Sequence, residues 1–146
     1  MPIADNPVPD FPNIDVMMTH GPPMGILDTT TTGVHVGCDH LLRAARRAKP
    51  QLHCFGHIHE GWGAQKLTWE EGDDLDNTGG HVKKTTEIDP ENMRRERAAM
   101  IDAGKGSDLA IESGKETLMV NASIMTVTYK PWNAPWLVDL DLERAD

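Results

Sequence analysis

The sequence predicts an α/β domain built on a parallel sheet, and two observations carry that expectation. The first is order: an apolar run, "NIDVMMTH" (13–20), precedes a helical pattern, "CDHLLRAARRAKP" (38–50), and a second apolar run, "QLHCFG" (51–56), follows it. Strand, helix and strand in that order form the unit from which parallel sheets are made. The second is size: 146 residues correspond to one domain, 1–146, with room for a real core.

Taken in order, residues 1–12 are Pro-rich and read as an extended leader. "NIDVMMTH" reads as a buried strand ending at His20. Residues 21–37 are rich in Gly, Pro and Thr without helical period, and loops of that length are usually functional or disordered. In the helix, Asp39 sits near the start, Leu41, Leu42 and Ala45 share a face, and Arg43, Arg46, Arg47 and Lys49 load the far end. Basic residues there complement the helix dipole, and Pro50 ends the run. "QLHCFG" is then the second strand.

Composition shifts near Gln65. Residues 66–115 are polar and read as a surface insertion containing one helix, "DPENMRRERAAMIDAG" (89–104). Asp89 is its N-cap, Pro90 its first residue and Gly104 its stop. The charged face of "MRRERAAM" reads as solvated. Order returns with "TLMVNASIMTVTYKP" (117–131) and "APWLVDLDL" (134–142), two or three strands separated by a turn at Pro131-Trp132-Asn133. Trp132 and Trp136 read as core cover.

The net charge of -9 argues against nucleic acid or an anionic membrane surface as partner. Cys38 and Cys54 lack C-x-x-C spacing and read as reduced core thiols. No secretory leader and no membrane-length apolar run is legible, so the expectation is a soluble cytoplasmic protein.

Three histidines share one property. His20, His57 and His59 each follow an apolar strand at its C-terminal tip, where α/β sheets bind ligands. If 57–59 stay extended, the two imidazoles of Gly56-His57-Ile58-His59 point to one side. They would then serve one metal ion or two. A single His₃ zinc site is a geometric alternative. His53 alternates with Leu52 and Cys54 and reads as a structural strand residue, while His35, His40 and His81 carry no assigned role. Asn121 and Ser123 read as polar caps at a strand end.

"THGPPMGILD" (19–28) together with "LHCFGHIHEGWGA" (52–64) resembles the last two signature blocks of the calcineurin-like metallophosphoesterases. "TLMVNASIMTVTYKPWNAPWLVDLDL" (117–142) narrows the likeness to the small metallophosphoesterase-domain-containing proteins. The resemblance implies the C-terminal half of a four-layer α/β/β/α sandwich. It implies hydrolysis of a small phosphoester or phosphodiester, with divalent Mn, Fe or Zn as cofactor. His20 and His57 would bind one ion and His59 the other, with Asp28 and Glu60 orienting imidazoles. The family's Asp-x-His and Asn-His elements do not occur in the sequence, and its one Gly-Asp, Gly72-Asp73, falls inside the polar insertion. The chain therefore reads as truncated, with an incomplete binuclear site. The alternative is a non-catalytic remnant or interaction module that associates with itself or a partner through an exposed sheet.

Overall fold

A computed structural model of the chain describes residues 8–71, 82–89 and 95–142. Strand β1 (Val16–Met18), helix α1 (Asp39–Ala48) and strand β2 (Leu52–Phe55) form the expected β-α-β unit, with β1 and β2 parallel and Met17 opposite His53. After a single 3-10 turn at His59–Gly61 come β3 (Gly63–Trp69), β4 (Val82–Glu87), β5 (Ala99–Asp102), β6 (Glu116–Asn121) and β7 (Trp136–Asp139). The main sheet has the order β1-β2-β6-β3-β4, and β5 and β7 make a separate parallel pair. Strand β6 is parallel to β2 and antiparallel to β3, so the sheet is mixed.

Helix α1 has no side-chain cap at Cys38 and ends where Lys49 turns left-handed and returns its N–H to the Ala45 carbonyl at 2.7 Å. Ala44, Ala45 and Ala48 are buried. Small residues let the helix lie close to the sheet, where Ala45 and Leu42 meet Phe55, Leu67, Trp69 and Met119. The opposite face of the sheet, Leu118, Val120 and Ala64, packs on Ile101 of β5 and on Trp136 and Val138 of β7. Full burial of each large apolar side chain contributes about 1.5–3 kcal/mol. Helix, five-stranded sheet and two-stranded ribbon are thus three layers. The fold is mixed α/β and consistent with part of a metallophosphoesterase domain; a fourth layer has no counterpart among the described residues.

Several expectations are corrected. Strand β1 is an edge strand rather than a buried one: Met17 is buried, but Val16 and Met18 are exposed, Met18 to 78 %. The helix expected over 89–104 does not continue to Gly104. Residues 90–94 lie outside the described residues, Arg95 and Glu96 are helical, and 99–102 is strand. Buried Ala99 and Ile101 alternate there with exposed Met100 and Asp102, a period of two, and pairing with β7 overrides the local helix signals. Residues 66–115 also hold more of the core than their polarity suggests, since Leu67, Trp69, Ile88 and Ile101 are buried. Of the two tryptophans read as cover, Trp136 packs on Trp62 with ring centres 5.1 Å apart, whereas Trp132 is 79 % exposed. Cys38 is exposed and Cys54 half-buried, and burial raises the Cys54 thiol pKa. Among the described residues, no helix is long and apolar enough to cross a membrane.

Candidate functional site

Parallel pairing carries the histidines together. The ladder between β1 and β2 runs past the strands, with Thr19 N–H on the Cys54 carbonyl and Gly56 N–H on the His20 carbonyl, both at 3.0 Å. His20 and His57 therefore leave adjacent strand tips side by side. His20 Nε2 lies 3.1 Å from His57 Nδ1, and the ring centres are 4.6 Å apart. Both rings are exposed to solvent.

The Gly56-His57-Ile58-His59 segment is not extended. His57 has φ +68°, in the left-handed region, and His59 begins the 3-10 turn. A histidine held there is uncommon and marks a constrained position. The two imidazoles thus do not share a side, because the backbone between them leaves the regular pleat that sharing a side requires. His57 turns to His20, while His59 Nδ1 donates to the Thr126 carbonyl at 3.0 Å and its ring meets Tyr129 edge-on at 5.5 Å. That bond fixes the His59 tautomer and leaves Nε2 with its lone pair, the arrangement metal-ligating histidines use.

Asn121, fully buried at the tip of β6, holds this end of the sheet together. Its amide nitrogen donates to the Leu27 carbonyl at 3.1 Å and the Ile58 carbonyl at 2.9 Å, and its oxygen accepts the Ser123 N–H at 3.1 Å. One side chain thereby joins the 21–37 loop, the histidine loop and its own strand. Gly61 allows that approach: a Cβ there would lie 1.9 Å from the Leu27 carbonyl oxygen.

The two carboxylates expected to orient site imidazoles serve other partners. Fully buried Asp28 accepts from Gly25 N–H, Gly37 N–H and His35 Nδ1, the last at 2.7 Å. Burial alone would raise the Asp28 pKa, but these bonds and the His35 charge outweigh it and set the pKa below the ordinary carboxylate value. Glu60 accepts the Thr31 N–H at 3.3 Å. His35, assigned nothing from sequence, closes the Asp28–Gly37 loop; its only signal is an acid and a histidine at the two ends of a Thr-rich turn. Thr126 and Tyr129, which fix His59, left no signal because they are distant in the chain.

His53 is a buried strand residue. The Thr19 hydroxyl donates to the Gly21 carbonyl at 2.8 Å, so His53 Nε2–H donates to Thr19 Oγ1 at 2.9 Å. Its Nδ1 is buried without a partner among the described residues, and burial lowers the His53 pKa from 6.5 to about 4. The pair braces the backbone on both sides of His20. Among the described residues, no three His, Cys, Asp or Glu side chains converge as a metal-holding group. Gly72-Asp73 lies outside the described residues.

The mixed α/β fold is consistent with part of a metallophosphoesterase domain, and comparison with known proteins supports that family likeness. The chain is a metallophosphoesterase-like protein. It is 32% identical over 133 residues, 90% of its length, to metallophosphoesterase domain-containing protein 1 of Homo sapiens, and likewise to that of Mus musculus. It is 47% identical over 51 residues, 34% of its length, to UPF0046 protein T07D4.2 of Caenorhabditis elegans. The chain spans about a quarter of the length of the human and mouse relatives, 26%. No family model matches it.

Proposed function

We propose that this chain supplies one wall of a divalent-metal centre that hydrolyses phosphoesters or phosphodiesters. The observation that carries the reading is the His20–His57 pair. An ion about 2.0–2.1 Å from each of two imidazole nitrogens holds them about 3 Å apart, and the facing nitrogens are 3.1 Å apart. The donor set fits as two of several ligands to one ion. His59, with Nδ1 occupied by Thr126, would present Nε2 to a second. Bound divalent ions supply a water of lowered pKa and neutralise phosphate oxygens. The protein's own part is positional: Asn121 holds the histidine loop against Leu27, and the His53–Thr19 contact sets the backbone that carries His20.

The test is metal stoichiometry of the purified chain with Mn²⁺ and with Zn²⁺, beside His57→Ala/His59→Ala, followed by turnover of bis(p-nitrophenyl) phosphate. Ions bound by the parent and lost in the variant, with turnover following the metal, are the expected result. A metal-free parent would overturn the reading.

A second reading has its own observation. Among the described residues β1 is an edge of the sheet and exposes Val16 and Met18, and an edge strand is a template for association. The chain would then self-associate through β1 without catalysis. Sedimentation velocity would show a concentration-dependent species that Met18→Lys dissolves; a monomer at every concentration would exclude it.

A further inference from the structure

We propose that Tyr129 is a positioning residue for His59, held in a strained turn so that its ring keeps the imidazole in one setting. What His59 serves rests on the metal-centre reading above; how it is held does not. Residues 124–133 fold back as a tight hairpin. Met125 bridges Pro131, Thr126 N–H donates to the Lys130 carbonyl at 2.9 Å, and Tyr129 N–H donates to the Thr126 carbonyl at 2.8 Å. Asn133 ties the base, its N–H on the Ile124 carbonyl at 3.0 Å and its Nδ2 on the Ser123 carbonyl at 2.8 Å.

A turn followed by one left-handed residue is a common way to close a hairpin, and glycine normally fills the left-handed position. In this hairpin Tyr129 fills it, at φ +58°. A bulky side chain there carries a cost in strain. Burial does not offset that cost, because Tyr129 is 75 % exposed. The ring instead stands edge-on to His59, with centres 5.5 Å apart and planes at 86°. Where turn chemistry is broken without a gain in burial, the gain is positional.

The Thr126 carbonyl joins the two residues. It accepts Tyr129 N–H, which closes the turn, and His59 Nδ1–H at 3.0 Å. One turn thus supplies both the acceptor and the ring that His59 meets. Which tautomer a neutral imidazole takes is set by the bond its ring makes. Only one setting of the His59 ring keeps Nδ1–H on Thr126 and leaves Nε2 with its lone pair. Thr126 selects that setting, and the Tyr129 ring opposes rotation out of it. An edge-to-face pair of this kind favours one arrangement about two- to tenfold.

The test reads the His59 tautomer by long-range ¹H–¹⁵N correlation in the ¹⁵N-histidine-labelled chain, in EDTA at about pH 8, where imidazole is neutral. His59→Gln assigns the signals. The parent is expected to show the Nδ1–H form. Tyr129→Gly and Tyr129→Ala should raise the Nε2–H form about two- to tenfold, while Tyr129→Phe keeps the parent pattern. Glycine fits the left-handed turn, so the thermal midpoint of Tyr129→Gly should not fall although His59 loses order. In a separate titration Tyr129→Gly should bind Mn²⁺ about two- to tenfold more weakly than the parent. A tautomer unchanged in both Tyr129→Gly and Tyr129→Ala would overturn the proposal, and a lowered midpoint in Tyr129→Gly would overturn the strain on which it stands. A parent that binds no Mn²⁺ would overturn the metal reading alone, since the tautomer is read without an ion.

Discussion

His20 and His57 stand nitrogen to nitrogen at 3.1 Å, although 37 positions separate them in the chain. The contact follows from parallel pairing: Gly56 N–H takes the His20 carbonyl, so the residues that leave the two tips must meet. Two neutral imidazoles gain one hydrogen bond from this arrangement; shared lone pairs on a cation would gain more.

If one ion is shared by that pair, His20→Ala and His57→Ala will not add. Each should lower Mn²⁺ affinity about tenfold or more, and the double variant should be no worse than the weaker single. His59→Ala, whose ring is fixed separately by Thr126, should add to either. Isothermal calorimetry on the single and double variants decides this; simple additivity of His20→Ala and His57→Ala would show that they do not share an ion.

Asn121→Ala should lower folding stability by about 2–4 kcal/mol, because it leaves the Leu27 and Ile58 carbonyls and the Ser123 N–H without their partner in a buried setting. Urea denaturation at neutral pH measures the loss. A change within the range of ordinary surface substitutions, about 0.5 kcal/mol, would mean that water replaces the amide.

Gly61→Ala should be at least as damaging. The added Cβ would meet the Leu27 carbonyl at 1.9 Å and Asn121 Nδ2 at 2.8 Å, and the former is backbone, so the loop must move. A loss of about 2–4 kcal/mol is expected, with a lowered thermal midpoint as the readout.

His53 predicts acid sensitivity. Its folded pKa, about 4, lies below the ordinary 6.5, so the unfolded chain takes up the proton first. The stabilisation is complete above about pH 6.5 and is lost as pH falls toward 4, by about 2 kcal/mol at pH 5 and about 3 kcal/mol at pH 4. Asp28, whose pKa is lowered from 3.8, adds its own loss only at still lower pH. His53→Gln should flatten the fall in urea midpoint between pH 7 and pH 4.5. An unchanged slope would place the titration elsewhere.

Sequence alone was enough for the β-α-β unit and for the positions of His20, His57 and His59 at strand ends. Both depend on local patterns: apolar runs, a helix loaded with basic residues at its end and stopped by Pro50, and glycine and histidine where a run stops. What each histidine faces was decided by tertiary structure. A left-handed His57 breaks the pleat, Thr126 takes His59 aside, and Asp28 serves His35 instead of the site. The helix signals from Asp89 to Gly104 were locally sound, yet Ala99–Asp102 became a strand because β7 offers pairing and a buried face, and no local signal carries that information. Trp132 was misplaced for the same reason, since exposure depends on which wall the folded chain closes and which it leaves open. The chain's local chemistry is thus written in its sequence, and its partnerships arise from contacts between distant residues, whose loop-closure cost only the assembled core offsets.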